Sequence, residues 1–190
     1  EAEFVVNQIR DWVSRGGNRR DTAILYRSNA QSRVFEEYLL AARIPYRVYG
    51  GLRFFERQEI KDALAYLRLI ANRDDDASFD RVVNLPTRGI GARTLEVLRA
   101  HAKANELSLW RSSSACTDEL GAKATASLQA FLALVEKLDA DTQGLALHEQ
   151  VDHVIQASGL AGHYQRDKAD KGEARLENLE ELVSAARGFE

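Results

Sequence analysis

The 190-residue sequence predicts a mixed α/β but mostly α fold, a small α/β part followed by a longer all-helical one. Three observations carry this. Two short apolar runs, Ala23-Ile24-Leu25-Tyr26 and Ile44-Pro45-Tyr46-Arg47-Val48-Tyr49, alternate with helical-period segments in the first fifty residues. Beyond Gly50-Gly51 every apolar pattern has helical spacing. Within that part, Gly89-Ile90-Gly91 forms a turn between two apolar arms, the signature of a helix-hairpin-helix.

The elements follow in order. Phe4, Val5, Ile9, Trp12 and Val13 recur at helical spacing from Glu3 to Ser14, and Gly16-Gly17-Asn18 ends that helix. Ala23–Tyr26 reads as a buried parallel strand, Arg27-Ser28-Asn29 as its polar turn, and Val34, Leu39 and Ala42 as the face of the next helix. Ile44–Tyr49 is then a second strand, making α-β-α-β of a doubly wound sheet. Two parallel strands leave unpaired edges and uncovered faces, so the rest of their sheet must come from elsewhere. Gly50-Gly51 reads as a tight turn or a hinge between domains 1–49 and 50–190. Helices are then expected over Arg57–Ile70, Ser78–Asn84 (N-cap Ser78), Ala92–Lys103, Leu120–Leu138, Leu145–Ser158, Leu160–Gln165 and Gly172–Arg187. Asn72–Asp76 is expected to be a solvated loop, and Gly144, Gly159 and Gly172 to be breakers.

Net charge is −3, but the average hides a division. Residues 1–50 hold 8 basic and 6 acidic side chains, 51–111 hold 11 and 9, and 112–190 hold 7 and 14. A nucleic-acid surface therefore belongs on the first 111 residues, and the acidic remainder faces solvent or protein. No run of apolar residues approaches the roughly 20 that span a bilayer, no signal pattern opens the chain, and a cytoplasmic location is the default expectation. The absence of Met and the ending at Gly188-Phe189-Glu190 suggest an excerpt of a longer chain. The single Cys116 is expected to be structural.

Glycines at 89 and 91 let the backbone approach a ligand with no Cβ in the way. Arg93 and Thr94 fall in the first turn of the following helix, where free amides and the positive dipole end suit an anion. Gly-rich turns also serve merely to reverse a chain, so the motif alone does not decide. Val82, Val83 and Leu85 before it, Leu95 and Leu98 after it, and the flanking Arg88 and Arg93 favour a phosphate grip that reads no bases. Lys61 and Arg68, seven apart on one helix face, could follow a phosphate strand or simply form a solvated face. Arg27, Ser28 and Asn29 sit past the carboxyl end of the first strand, where open α/β sheets bind ligands, although capping and a local ion pair would explain them too.

Other chemistries find no support. No window matches Gly-x-x-x-x-Gly-Lys-Ser/Thr. Asp74-Asp75-Asp76 lacks the spacing of a calcium loop, and His148 and His153, five apart, do not share the face that metal ligands need. Nothing in the spacing joins His101 or His163 to Cys116 or to a serine.

Taken together, Ala23–Arg33, Tyr49–Asp62, Pro86–Gly91 and Arg175–Leu182 closely resemble the UvrD, PcrA and Rep group of superfamily 1 DNA helicases, nearest its UvrD branch. The resemblance covers the whole chain. It implies that residues 1–49 are part of a RecA-like motor domain, 2A, and that 50–190 are most of the helical accessory domain 2B, with Gly50 and Gly51 as the hinge. It further implies an ATP-dependent 3′–5′ helicase of nucleotide-excision and mismatch repair, using ATP and Mg²⁺ bound outside this segment, so that the segment alone hydrolyses no ATP. Arg27 and Asn29 match positions that hold the single strand. Lys61, Arg68, Gly89, Ile90, Gly91 and Thr94 match positions that grip the duplex, with Arg88 and Arg93 added on charge. The partners implied are DNA at a single/double-strand junction, the other motor domains and DNA-repair proteins, with no membrane. The reading set against it is a protein-interaction or autoregulatory module built on the acidic last eighty residues.

Overall fold

A computed structural model describes residues 1–49, 51–116, 119–167 and 169–189, which divide into two compact units, Glu1–Gln58 and Glu59–Glu190. Gly50, half of the expected hinge pair, lies outside the described residues; Gly51 is exposed. No described helix is long and apolar enough to cross a membrane.

In the first unit, α1 (Ala2–Ser14) packs on α2 (Ser32–Ala41). Val6, Ile9 and Leu39 form the centre of this small core, and Ile24, Ile44 and Tyr46 pack against it half-buried. The expected strands are the main correction: among the described residues none forms a ladder. Both segments are nevertheless extended with period-two burial. Ile24 and Tyr26 point inward while Leu25 is 93% exposed, and Ile44, Tyr46 and Val48 alternate with exposed Pro45, Arg47 and Tyr49. The side-chain pattern of a strand is thus present, but its amides lack a neighbouring strand to pair with. Large apolar groups accordingly stay open on this unit: Leu25, Phe4, Leu40 and Tyr49.

The second unit is helical: α3 (Gln58–Ala71, whose first residue belongs to the first unit), α4 (Asp76–Val82), α5 (Ala92–Asn105), α6 (Leu109–Ala115), α7 (Ala122–Thr142), α8 (Leu147–Ala157), α9 (Leu160–Gln165) and α10 (Ala169–Ala186). Ile60, Leu69, Phe79, Val82, Phe131 and Leu160 are fully buried in it, each worth about 1.5–3 kcal/mol relative to exposure. Phe79 and Phe131 meet edge to face at 5.5 Å between centroids. A buried polar network ties α3 to the last helices. Asp62 accepts from the Tyr164 hydroxyl and pairs with Arg81 at 2.6 Å, and Glu59 accepts from Asn178 at 2.6 Å. Burial, followed by the Asp62 hydrogen bond, drives the Tyr164 phenol far above its ordinary range.

Several local expectations change. Helix α6 is additional to the expected helices: Ser112 and Ser113 are buried in it, and Ser108 caps it by accepting from the Arg111 amide. The cap of α4 is Asp75, not Ser78: its carboxylate accepts from the Ser78 amide at 3.0 Å and from the Ser78 hydroxyl at 2.7 Å. The acidic run is therefore no idle loop, since Asp74 also takes Ser108 and Arg111, and Asp76 takes the Leu109 amide, joining α4 to α6. Gly172 lies inside α10 instead of breaking it. A Cβ there would stand 2.8 Å from the Tyr164 carbonyl oxygen, so the glycine allows close approach of two backbones.

Candidate nucleic-acid interface

The Gly-Ile-Gly turn is built by residues on both sides of it. Asn84, at the end of the preceding arm, turns its carboxamide oxygen inward to accept from the amides of Arg88 at 2.8 Å and Ile90 at 3.2 Å. That single side chain fixes the loop; nothing in the linear pattern singles it out except Asn's habit of bonding nearby amides. Gly89 has φ +77°, the left-handed region that costs other residues roughly 1–2 kcal/mol. Ile90 is 1% exposed and anchors the turn in the core. Gly91 then starts α5 in extended backbone with no side chain closing on the first-turn amides, and a Cβ added there would meet no atom within 4 Å. The amides of Thr94 and Leu95 are taken by the Gly91 carbonyl, so the first-turn N–H groups left for a ligand are those of Ala92 and Arg93.

Each sequence candidate has a definite place. Arg93 is exposed in the first turn of α5. Thr94 is buried, and its amide bonds the Gly91 carbonyl. Arg88 does not reach outward. Its guanidinium donates to the carbonyls of Val82 (3.2 Å), Pro86 (3.0 Å) and Ser158 (3.0 Å) and to the Tyr66 hydroxyl (2.7 Å). It also lies over the rings of Tyr66 and Phe131. Arg88 thus braces the turn from behind, linking it to α3 and to the α8–α9 junction.

Tyr66 completes the brace. It is fully buried and its hydroxyl donates to the Leu85 carbonyl at 2.5 Å. Desolvation pushes its pKa up to about 12, against the lowering effect of Arg88. So the buried face of α3 holds the turn, while the opposite face presents Lys61 and Arg68, both exposed. Arg68 stands close enough to Asp75 to help hold that carboxyl below its ordinary range, after the Ser78 hydrogen bonds.

Arg27 and Asn29, in the first unit, are exposed beyond the extended segment ending at Tyr26. Ser28 is the N-cap of the short 3-10 turn Asn29–Gln31 and shares a capping box with Gln31, whose side-chain oxygen accepts from the amides of Arg27 (2.9 Å) and Ser28 (3.2 Å). The structure also joins His101 to a serine that lies eleven positions away, Nδ1 sitting 2.7 Å from the Ser112 hydroxyl. That hydroxyl is wholly buried and donates to the Leu98 carbonyl, so it is a packing contact and not a nucleophile.

The sequence profile of the UvrD-like helicase C-terminal domain matches residues 1–190. DNA helicase II of Escherichia coli K12 is 56% identical over 191 aligned residues, covering 100% of this chain and 26% of that protein. DNA helicase II of Haemophilus influenzae gives the same 56% identity and the same coverage. ATP-dependent DNA helicase PcrA of Staphylococcus aureus is 39% identical, again over 100% of this chain and 26% of its own length. The chain spans about a quarter of the length of these curated relatives.

Proposed function

Because the chain belongs to the UvrD-like helicase C-terminal domain family, we propose that it is the part of an ATP-dependent DNA helicase that holds the track while the nucleotide chemistry is done elsewhere. One observation carries this: a left-handed glycine, a buried isoleucine and a second glycine deliver open first-turn amides to the surface, braced from behind by Asn84, Arg88 and Tyr66. Backbone amides aimed at one spot, with Arg93 beside them, suit a phosphate oxygen and ignore base identity. Lys61 and Arg68 add two cations for the same duplex backbone, while Gly89, Gly91 and Arg93 form its contact point and Ile90, Thr94 and Arg88 hold that point in shape. Arg27 and Asn29 are assigned to the single strand, so that the whole protein engages a junction and moves 3′ to 5′ as it unwinds DNA in excision and mismatch repair.

ATP and Mg²⁺ are assigned to other segments of the whole protein, since this chain has no Gly-x-x-x-x-Gly-Lys-Ser/Thr loop. The residues near Gly50-Gly51 are assigned to a swivel between domains 2A and 2B, and the setting to the cytoplasm. A second reading, docking of a basic repair partner, draws on the acidic groove between α8 and α10, where Glu149, Asp152 and Glu180 line one cleft with Leu145, Leu179 and Val183.

The test is titration of a duplex carrying a single-stranded tail, followed by fluorescence anisotropy at several salt concentrations. Gly91→Val is the decisive variant, because the backbone there is extended and an added Cβ meets no atom within 4 Å. Loss of charge-assisted amide contacts of about 1.5–3 kcal/mol would weaken binding roughly 10- to 100-fold. Salt-sensitive binding that survives Gly91→Val unchanged removes the turn from the duplex site.

A further inference from the structure

The turn has a neighbour that the sequence motif does not include. A methyl group on Gly89 would lie 3.7 Å from the Ser127 hydroxyl oxygen, so α7 passes directly beside the exposed residue of the turn. Ser127 is half-buried there. Lys123 stands four residues earlier on α7, hence on the same face and roughly 6 Å further along the helix axis. Its side chain is exposed, and the first turn of α7 contains no acidic residue.

Lys123 differs from six other cations of this unit in how its charge is used. Arg73, Arg81, Arg99, Arg111 and Arg175 are each paired with a carboxylate, to Asp139, Asp62, Asp80, Asp74 and Asp167 respectively. Lys137, near the other end of α7, faces Asp141 at 4.0 Å. Lys123 has no such partner among the described residues, and it is the cation of α7 next to the turn. A hydroxyl beside the turn is thus followed, one helical turn away along α7, by an exposed cation committed to no carboxylate among the described residues.

We propose that Ser127 and Lys123 extend the grip of the Gly-Ile-Gly turn along the phosphate backbone of the same duplex, Ser127 as a hydroxyl donor at the turn and Lys123 as the cation beyond it. This rests on reading the turn as a duplex site. Contacts of this kind neutralise phosphate without reading sequence, so each lysine engaged shows as released counterion.

The experiment is anisotropy of the whole 190-residue chain with a tailed duplex across a salt series, for the unaltered protein, Lys123→Ala, Lys123→Arg, Ser127→Ala, Lys137→Ala and Gly91→Val. Lys123→Ala should weaken binding alike on unrelated sequences and reduce the slope of log K against log salt by about 1. Lys123→Arg should restore the slope, Ser127→Ala should give a smaller sequence-independent loss, and Lys137→Ala should leave the slope unchanged. Equal effects from Lys123→Ala and Lys137→Ala would reduce the result to net charge and overturn the proposal. An unchanged slope in Lys123→Ala alongside weakened binding in Gly91→Val would overturn the proposal and leave the turn standing. Full binding by Gly91→Val, or no duplex binding by the unaltered chain, would overturn both.

Discussion

Replacing Tyr66 by Phe probes the brace behind the turn with almost no change in volume. The ring stays buried, so the hydrophobic contribution is retained, and what disappears is one oxygen. That oxygen accepts from Arg88 at 2.7 Å and donates to the Leu85 carbonyl at 2.5 Å. Arg88 keeps three carbonyl acceptors, whereas the Leu85 carbonyl loses a close partner. A charge-assisted bond and a neutral one removed in this way amount to about 2 kcal/mol. For a chain of this size that lowers the melting temperature by roughly 4–8 °C. The pH dependence makes the prediction specific. The folded pKa of Tyr66 is raised to about 12 by burial, so its contribution is fully present below the unfolded value near 10 and is lost as pH climbs through 12. That window corresponds to roughly 2–3 kcal/mol, enough to cancel the advantage of the wild type. Urea midpoints of the two proteins, read by far-ultraviolet circular dichroism from pH 8 upward, should therefore converge near pH 12. A gap that stays constant across the series, or a variant as stable as the wild type at neutral pH, would refute the account of the hydroxyl as a buried, doubly bonded brace.

Three further outcomes follow from local geometry. Gly172→Ala should destabilise by roughly 1–2 kcal/mol, because an added methyl 2.8 Å from the Tyr164 carbonyl outweighs the usual gain of alanine in a helix. Gly162→Ala in α9, with nothing within 4 Å, should be neutral or stabilising in the same thermal melts. Asp75→Ala should cost about 1 kcal/mol through loss of the α4 cap. Because the folded Asp75 carboxyl is depressed, chiefly by the Ser78 amide, its contribution exists above the unfolded pKa and fades as pH falls through the folded one. The difference between wild type and Asp75→Ala should accordingly shrink in acid, measured by thermal unfolding at stepped pH.

Much of this architecture is legible in the chain because helical periodicity is a local signal. The spacing of Ile60, Leu64 and Leu67 places α3 within a residue or two, and Leu160–Gln165 is delimited by the glycine before it. What escapes is whatever depends on distant partners. Ala23–Tyr26 and Ile44–Tyr49 are extended with the alternating burial of strands, but that specifies only conformation, and a ladder needs a second chain segment at hydrogen-bonding distance. The same holds at the candidate site. Gly89, Gly91 and Arg93 are recognisable from the motif, whereas Asn84 and Tyr66 look like ordinary residues until folding brings them to the turn. Arg88 misleads for a related reason: a basic residue beside two glycines reads as a contact, and only three-dimensional packing shows it turned inward toward Ser158. The His101–Ser112 contact, likewise, spans α5 and α6 and leaves no trace in either helix alone.

The inward course of Arg88 has an electrostatic consequence. Its hydrogen-bond acceptors are three carbonyls and a phenol, all neutral, and no carboxylate cancels it among the described residues. A guanidinium held this way keeps its full charge while its hydration shell is replaced by fixed dipoles. Mobile ions screen a half-buried charge of this kind less than an exposed one. If the turn holds a phosphate as proposed, this charge adds to the attraction without meeting the ligand, and that share should persist at salt concentrations that erase the contributions of exposed lysines.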